Sequence, residues 1–184
     1  MKGSLKSILE ELALSVSRSS LEGHAEFLNL FEKDGSKIIC TGAGRVGLAM
    51  RGFAMRLMHL GFDSHFLGET IVPNLGSRDL LLVGSGSGST KSILTLVEIA
   101  KAQELRIGLI TATKKSPMQE LATAVVELHS PNKYSDDPAM TSIQPMTTLF
   151  EQTLSIYLDA TVLDLMQKFG ESSASMWARH NSIE

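Results

Sequence analysis

The sequence predicts an α/β fold: a five-stranded parallel sheet with helices on both faces. Three observations predict it. Short, buried-looking apolar runs alternate with segments of helical spacing, the order that builds parallel sheets through crossover helices. Glycine clusters at 42–47 and 84–90 each follow such a run. The 184 residues, 43% hydrophobic and 20% charged, suit one domain with a full core, and no linker or low-complexity segment divides them.

The elements follow in order. Residues 4–31 show helical spacing: Leu5, Ile8, Leu9, Leu12, Leu14 and Val16 lie mostly on one face, followed by Leu21, Phe27, Leu28 and Phe31. KDGSK (33–37) is a turn, and KIICTG (37–42) a short buried strand. LAMRGFAMRLMHL (48–60) is a helix that Gly61 caps. DSHFLG (63–68) and DLLLVG (79–84) are strands, the second fully buried. Residues 91–103 form an amphipathic helix through Ile93, Leu94, Leu96, Val97 and Ala100, and RIGLITA (106–112) is the next strand. SPMQELAT (116–123) opens a helix with Ser116 as cap, Pro117 at the first position and Gln119 completing a capping box. VVELH (125–129) is the fifth strand; a polar loop (130–142), a long helix (144–169) and a polar tail (171–184) complete the chain.

Composition narrows the function. The net charge of −3, with no block of like charges and few aromatic side chains, argues against a nucleic-acid surface. Cys40, the single cysteine, excludes an internal disulfide and a cysteine-based zinc site; within KIIC it reads as strand core. The five histidines show no metal-ligand spacing. Neither a signal peptide nor an apolar run of membrane-spanning length is visible, so the expectation is a soluble, cytoplasmic protein.

Both glycine clusters fall after strands, on the edge of a parallel sheet where ligands bind. Ser85, Gly86, Ser87, Gly88, Ser89 and Thr90 lead into a helix. Helix-start N–H groups, glycines that admit a ligand close to the backbone and several hydroxyls make a phosphate cradle that needs no lysine. The plainer alternative is a flexible turn. The first cluster, with Gly42, Gly44 and Gly47, matches G-x-G-x-x-G only formally. Asp63, the acidic residue in range, precedes its strand rather than ending it, and no Walker A sequence occurs. Arg45 either binds a phosphate or sugar oxygen or makes a structural ion pair; Glu69 either approaches the same edge or ends a strand. His59 reads as a capping or packing residue that can also point into the site. On the last long helix Thr148, Glu151, Ser155 and Asp159 form a polar stripe that by spacing alone can simply face water. The first and last long helices carry more apolar surface than one small sheet covers, so an oligomer is expected, with active sites near subunit boundaries.

GAGRVG…FAMRLMHLGF, GSGSGSTKS and IQPMTTLFEQTL, with the RHNSIE tail, together closely resemble the 6-phospho-3-hexuloisomerases of the sugar-isomerase (SIS) domain class. The likeness spans nearly the whole chain. It implies a single SIS domain over 1–184, a flavodoxin-like three-layer sandwich, with the N-terminal helix and the tail in subunit contacts. It implies interconversion of 3-hexulose 6-phosphate and fructose 6-phosphate, in the ribulose monophosphate route for fixing formaldehyde, with no metal or organic cofactor, in a tetramer built from dimers. By position it assigns phosphate to Ser85–Thr90 and the base to Glu151. One carboxylate can take a proton from C2 and return it to C3 through an enediol. His180, in the tail, can reach another subunit's site and polarise the carbonyl or shuttle a hydroxyl proton. Gly44, Arg45 and Val46 line the substrate; Val46 stands where the family usually has serine, leaving only a backbone N–H there. The rival reading is the same fold sensing a phosphosugar without turnover, which needs no carboxylate at the reacting carbons; a third keeps the enzyme and changes the sugar phosphate.

Overall fold

A computed structural model describes residues 1–132 and 140–183. Strands β1 (Lys37–Gly42), β2 (Asp63–Phe66), β3 (Leu80–Gly84), β4 (Arg106–Thr111) and β5 (Ala124–Glu127) form one parallel sheet in the order β2-β1-β3-β4-β5. The helices are α1 (Lys2–Arg18), α2 (His24–Asn29), α3 (Gly44–His59), α4 (Lys91–Ala102), α5 (Pro117–Leu121), α6 (Thr148–Phe169) and α7 (Ser173–Trp177).

The central strands β1, β3 and β4 carry continuous buried runs because both faces of the sheet are covered there. Ile38 and Cys40 of β1, Leu80 and Leu82 of β3, Ile110 of β4 and Val126 of β5 pack with α2, α3 and α6. Ile39, Leu81, Val83, Ile107 and Leu109 pack with α4 and α5 on the other side. This period of two, buried on both sides, is the three-layer sandwich the sequence predicts. Cys40 is fully buried and burial pushes its thiol pKa up, so it stays a protonated core residue. α1 lies outside the layers, against α6.

The sheet positions the site. β1 and β3 are neighbours with Gly42 opposite Gly84, and the chain runs outward from them in opposite directions, to β2 and to β4. Their carboxyl ends therefore form the switch-point crevice of an open parallel sheet.

Several boundaries differ from the sequence reading. The helix expected over 4–31 is two helices. Ser19 turns extended after α1, Ser20 pairs with Glu127 beside β5, and Gly23 crosses so close that a Cβ would sit 1.8 Å from the Val125 carbonyl oxygen. The helix expected from 48 begins at Gly44, absorbing the glycine cluster into its first turn. Gly61 does follow that helix, at φ +87. Ser116 Oγ accepts the Gln119 N–H and donates to Gln119 Oε1, whereas in a full box that side chain accepts the Ser116 backbone N–H. The long helix starts at Thr148 rather than 144, because Pro145 and Met146, at φ 57, form a turn before it. The tail holds the short helix α7, with a Ser172–Ser175 capping box. Residues 133–139 of the polar loop lie outside the described residues.

Candidate active site

Three helix N-termini meet above the β1–β3 crevice: those of α3, α4 and α6. They enclose a cavity of about 410 Å³ lined by Ala43–Val46, Gly84–Ser87, Thr90, Pro145–Thr148, Phe150 and Glu151. Orphan N–H groups and the positive dipole ends of three helices give this cavity a preference for anions.

The serine loop is pinned from behind. The Ser85 N–H donates to the Ile110 carbonyl, and the Gly86 carbonyl accepts from Ala112 N–H and the Thr111 hydroxyl. Gly88 sits at φ +56, where a Cβ would lie 2.1 Å from Ser116 Oγ. A side chain at Gly86 would meet the Phe150 ring at 3.1 Å, so glycine here lets the loop lie against α6. Among the described residues the amides of Gly86 and Ser87 make no hydrogen bond. Thr90 is the N-cap of α4, yet its side chain makes no capping bond. Ser85, Gly86, Ser87 and Thr90 thus line the cavity. Gly88 and Ser89, which the sequence reading counted with them, do not: Gly88 packs on Ser116, and the Ser89 N–H is spent on Ser87 Oγ.

Two polar atoms in the cavity wall are buried without a hydrogen-bond partner: Ser85 Oγ and Glu151 Oε2. Unmet buried polar atoms are costly, so a pair facing one cavity points to a polar ligand. Glu151 stands in the first turn of α6, not two turns in, with its side chain 13% exposed. Its Oε1 accepts the Thr147 hydroxyl at 3.1 Å. Arg45 Nε lies 2.7 Å from Oε2, but its N–H is not aimed at that oxygen, so the contact is an ion pair alone. The Arg45 side chain is itself 65% exposed. The ion pair that the sequence left as one option is the one formed, and its partner is the candidate base.

Of the polar stripe on α6, Ser155 and Asp159 face outward while Glu151 turns in. Val46 packs downward onto the strand ends: its Cγ1 lies 3.0 Å and 2.8 Å from where a Cβ would sit on Gly42 and Gly84. Asp63 begins β2 and pairs with His65, away from the crevice, so Asp63 is not placed as the acidic residue of a dinucleotide site. Glu69 accepts the Phe66 N–H beyond the end of β2.

His180 is not brought to this cavity in the single chain. It stacks on His59, ring centroids 5.2 Å apart, at the far end of α3, a helix about 24 Å long. His59 is buried there as a packing residue, and burial, then Arg56 and His180, lower its pKa. Sequence reasoning missed Thr147, Pro145 and Met146, although QPMTT before an apolar helix carries the signal of a turn and a polar first residue. Among the described residues no group of three His, Cys, Asp or Glu side chains is placed to hold a metal, and no helix is long and apolar enough to cross a membrane.

A SIS domain family model matches residues 30–157. A 3-hexulose-6-phosphate isomerase of Bacillus subtilis (strain 168) is 39% identical over 148 residues, 80% of this chain and 80% of its own length. A 3-hexulose-6-phosphate isomerase of Methylomonas aminofaciens is 37% identical over 180 residues, 95% of this chain and 98% of its own. A Methanococcus jannaschii protein, whose crystal structure infers a 3-hexulose-6-phosphate isomerase function, superposes with a TM-score of 0.81 at 30% identity, covering 99% of each chain.

Proposed function

The chain belongs to the SIS domain family, among relatives that are 3-hexulose-6-phosphate isomerases, and from that premise we propose that it interconverts 3-hexulose 6-phosphate and fructose 6-phosphate. The observation that carries the reading is the pair of buried atoms without a hydrogen-bond partner, Ser85 Oγ and Glu151 Oε2, in the wall of one anion-favouring cavity.

In this proposal the phosphate sits against Ser85, Gly86, Ser87 and Thr90, accepting from the serine and threonine hydroxyls and from the free Gly86 and Ser87 amides of the loop before α4. The sugar carbons extend toward Glu151. The carboxylate takes the proton from C2 while the C3 carbonyl oxygen takes one from solvent, and an enediol forms. The Glu151 acid then returns its proton to C3 as the C2 hydroxyl gives its proton to solvent and the carbonyl forms at C2, so one group serves both halves. Arg45 leaves its ion pair to contact the phosphate or a sugar oxygen, freeing Oε2 for the chemistry. We further infer a cytoplasmic homo-oligomer, a tetramer of paired dimers, in which a second copy covers the apolar side chains that α3 and α6 leave exposed. His180 then acts at a neighbouring cavity, because in its own chain it lies at the wrong end of α3.

The test is turnover of 3-hexulose 6-phosphate, with fructose 6-phosphate read through a coupled dehydrogenase, for wild type and Glu151→Gln. Loss of a positioned base is expected to cost about 10²–10⁴-fold in kcat. Wild-type binding of fructose 6-phosphate without turnover overturns the enzyme reading in favour of a phosphosugar sensor.

A further inference from the structure

Pro145, Met146 and Thr147 roof the cavity, and with residues 142–144, which lead into them, they form an awkward piece of chain. Pro145 and Met146, the latter in the left-handed region at φ 57, turn it into α6. A bulky residue there is strained. Met146 is 94% exposed, so packing of its side chain does not hold the turn.

The hold comes from α1, far away in sequence. Glu11 Oε1 accepts the Ile143 N–H at 2.7 Å. Its Oε2 accepts the Ser142 hydroxyl at 2.9 Å and the Gln144 side-chain amide at 3.2 Å. One carboxylate thus grips three consecutive residues. Charge-assisted bonds of this kind are the strong ones. α1 is fixed independently: Ser15 Oγ donates to the His129 carbonyl at 2.5 Å and meets Ser130 Oγ at 2.9 Å and Thr153 Oγ1 at 2.8 Å. On the other side of the turn, the Thr148 hydroxyl donates to the Pro145 carbonyl at 2.7 Å. Thr147, three residues beyond Gln144, donates its hydroxyl to Glu151 Oε1 at 3.1 Å.

We propose that Glu11 is a positioning residue for the isomerisation: from α1 it anchors the 142–147 segment, so that Thr147 keeps the Glu151 carboxylate aimed into the cavity. Glu11 touches neither substrate nor reacting atoms. The inference rests on the isomerase reading of the site.

The experiment compares wild type, Glu11→Ala, Glu11→Gln, Thr147→Val and the Glu11→Ala/Thr147→Val double variant. It reads kcat, KM, melting temperature, calorimetric binding of fructose 6-phosphate and hydrogen exchange at the Ile143 amide. Glu11→Ala is expected to lower kcat about tenfold to a hundredfold, the scale of a catalytic group displaced by about 1 Å, with a smaller change in KM. Glu11→Gln keeps one acceptor oxygen and recovers part of the loss. The two single changes act on one chain of contacts, so their effects on kcat are expected to be non-additive. Wild-type kcat in Glu11→Ala, or full additivity with Thr147→Val, overturns the proposal, as does a kcat loss that merely follows a lower melting temperature. Should wild type fail to turn over 3-hexulose 6-phosphate, whether or not it binds the sugar phosphates, the isomerase reading fails. Exchange at Ile143 then decides the tether: faster exchange in Glu11→Ala supports it, and unchanged exchange overturns it.

Discussion

Val46 and Gly88 show how single residues shape the cavity. Val46 presents methyl groups at the first turn of α3, where a hydroxyl would offer a donor. Val46→Ser is expected to lower KM for 3-hexulose 6-phosphate about twofold to tenfold, the worth of one hydrogen bond. An unchanged KM removes Val46 from the substrate's surroundings. Gly88 combines φ +56 with the Ser116 hydroxyl where a Cβ would go. Gly88→Ala is therefore expected to cost at least about 1 kcal/mol in urea unfolding from the dihedral alone, and wild-type stability would contradict that geometry. Ser85 and Thr90 were legible in the sequence because hydroxyls and glycines were so dense between a strand and a helix. Thr147 was not, because its role depends on which way Glu151 turns, and that is set by the late start of α6.

At the scale of elements, the tail is held by a charged knot rather than by a core. The Arg179 guanidinium reaches both Glu171 oxygens and the His59 carbonyl, capping the end of α3. Lys33 joins from the α2–β1 connection as a further partner of Glu171. Gly61 leaves room for this: a Cβ there would lie 3.3 Å from the guanidinium. Arg179, Lys33 and Ser175 hold the Glu171 pKa at about 2, below the ordinary 4.5. A depressed carboxylate stabilises fully above its unfolded value and loses that contribution as pH falls through the window from 4.5 to about 2. Protection factors of the α7 amides are expected to drop across that window, and Glu171→Gln should show the drop at neutral pH. Protection unchanged in both cases would separate α7 from Glu171. The sequence reading of a polar tail missed this because the partners Lys33, His59 and Gly61 are remote in the chain.

At the scale of the whole molecule, α3, α6 and α7 leave Leu48, Met55, Ile156, Leu163 and Trp177 exposed. In the proposed oligomer a second copy covers these side chains. Leu163→Glu is expected to yield a smaller species in analytical ultracentrifugation, with activity falling alongside; an unchanged sedimentation coefficient would exclude Leu163 from a subunit contact. If His180 serves a neighbouring cavity, mixing Glu151→Gln with His180→Ala protein and allowing subunits to exchange restores part of the activity, since some sites then hold both intact groups. No recovery after proven exchange would confine His180 to its stack on His59.

Glu151 was marked only by the family resemblance; the sequence by itself determined the five strands, their parallel α/β class and the serine loop. These are local properties: apolar period, glycine position and hydroxyl density are written within short windows of the chain. Tertiary structure decided the rest. The order β2-β1-β3-β4-β5 brings three helix starts to one crevice. The crossing at Gly23 splits a long apolar pattern into two helices, because the chain must pass over β5. Arg45 found Glu151, and Glu11 found residues 142–144, across more than a hundred residues of chain. Such contacts depend on where the backbone has been carried in space, and no local period records that.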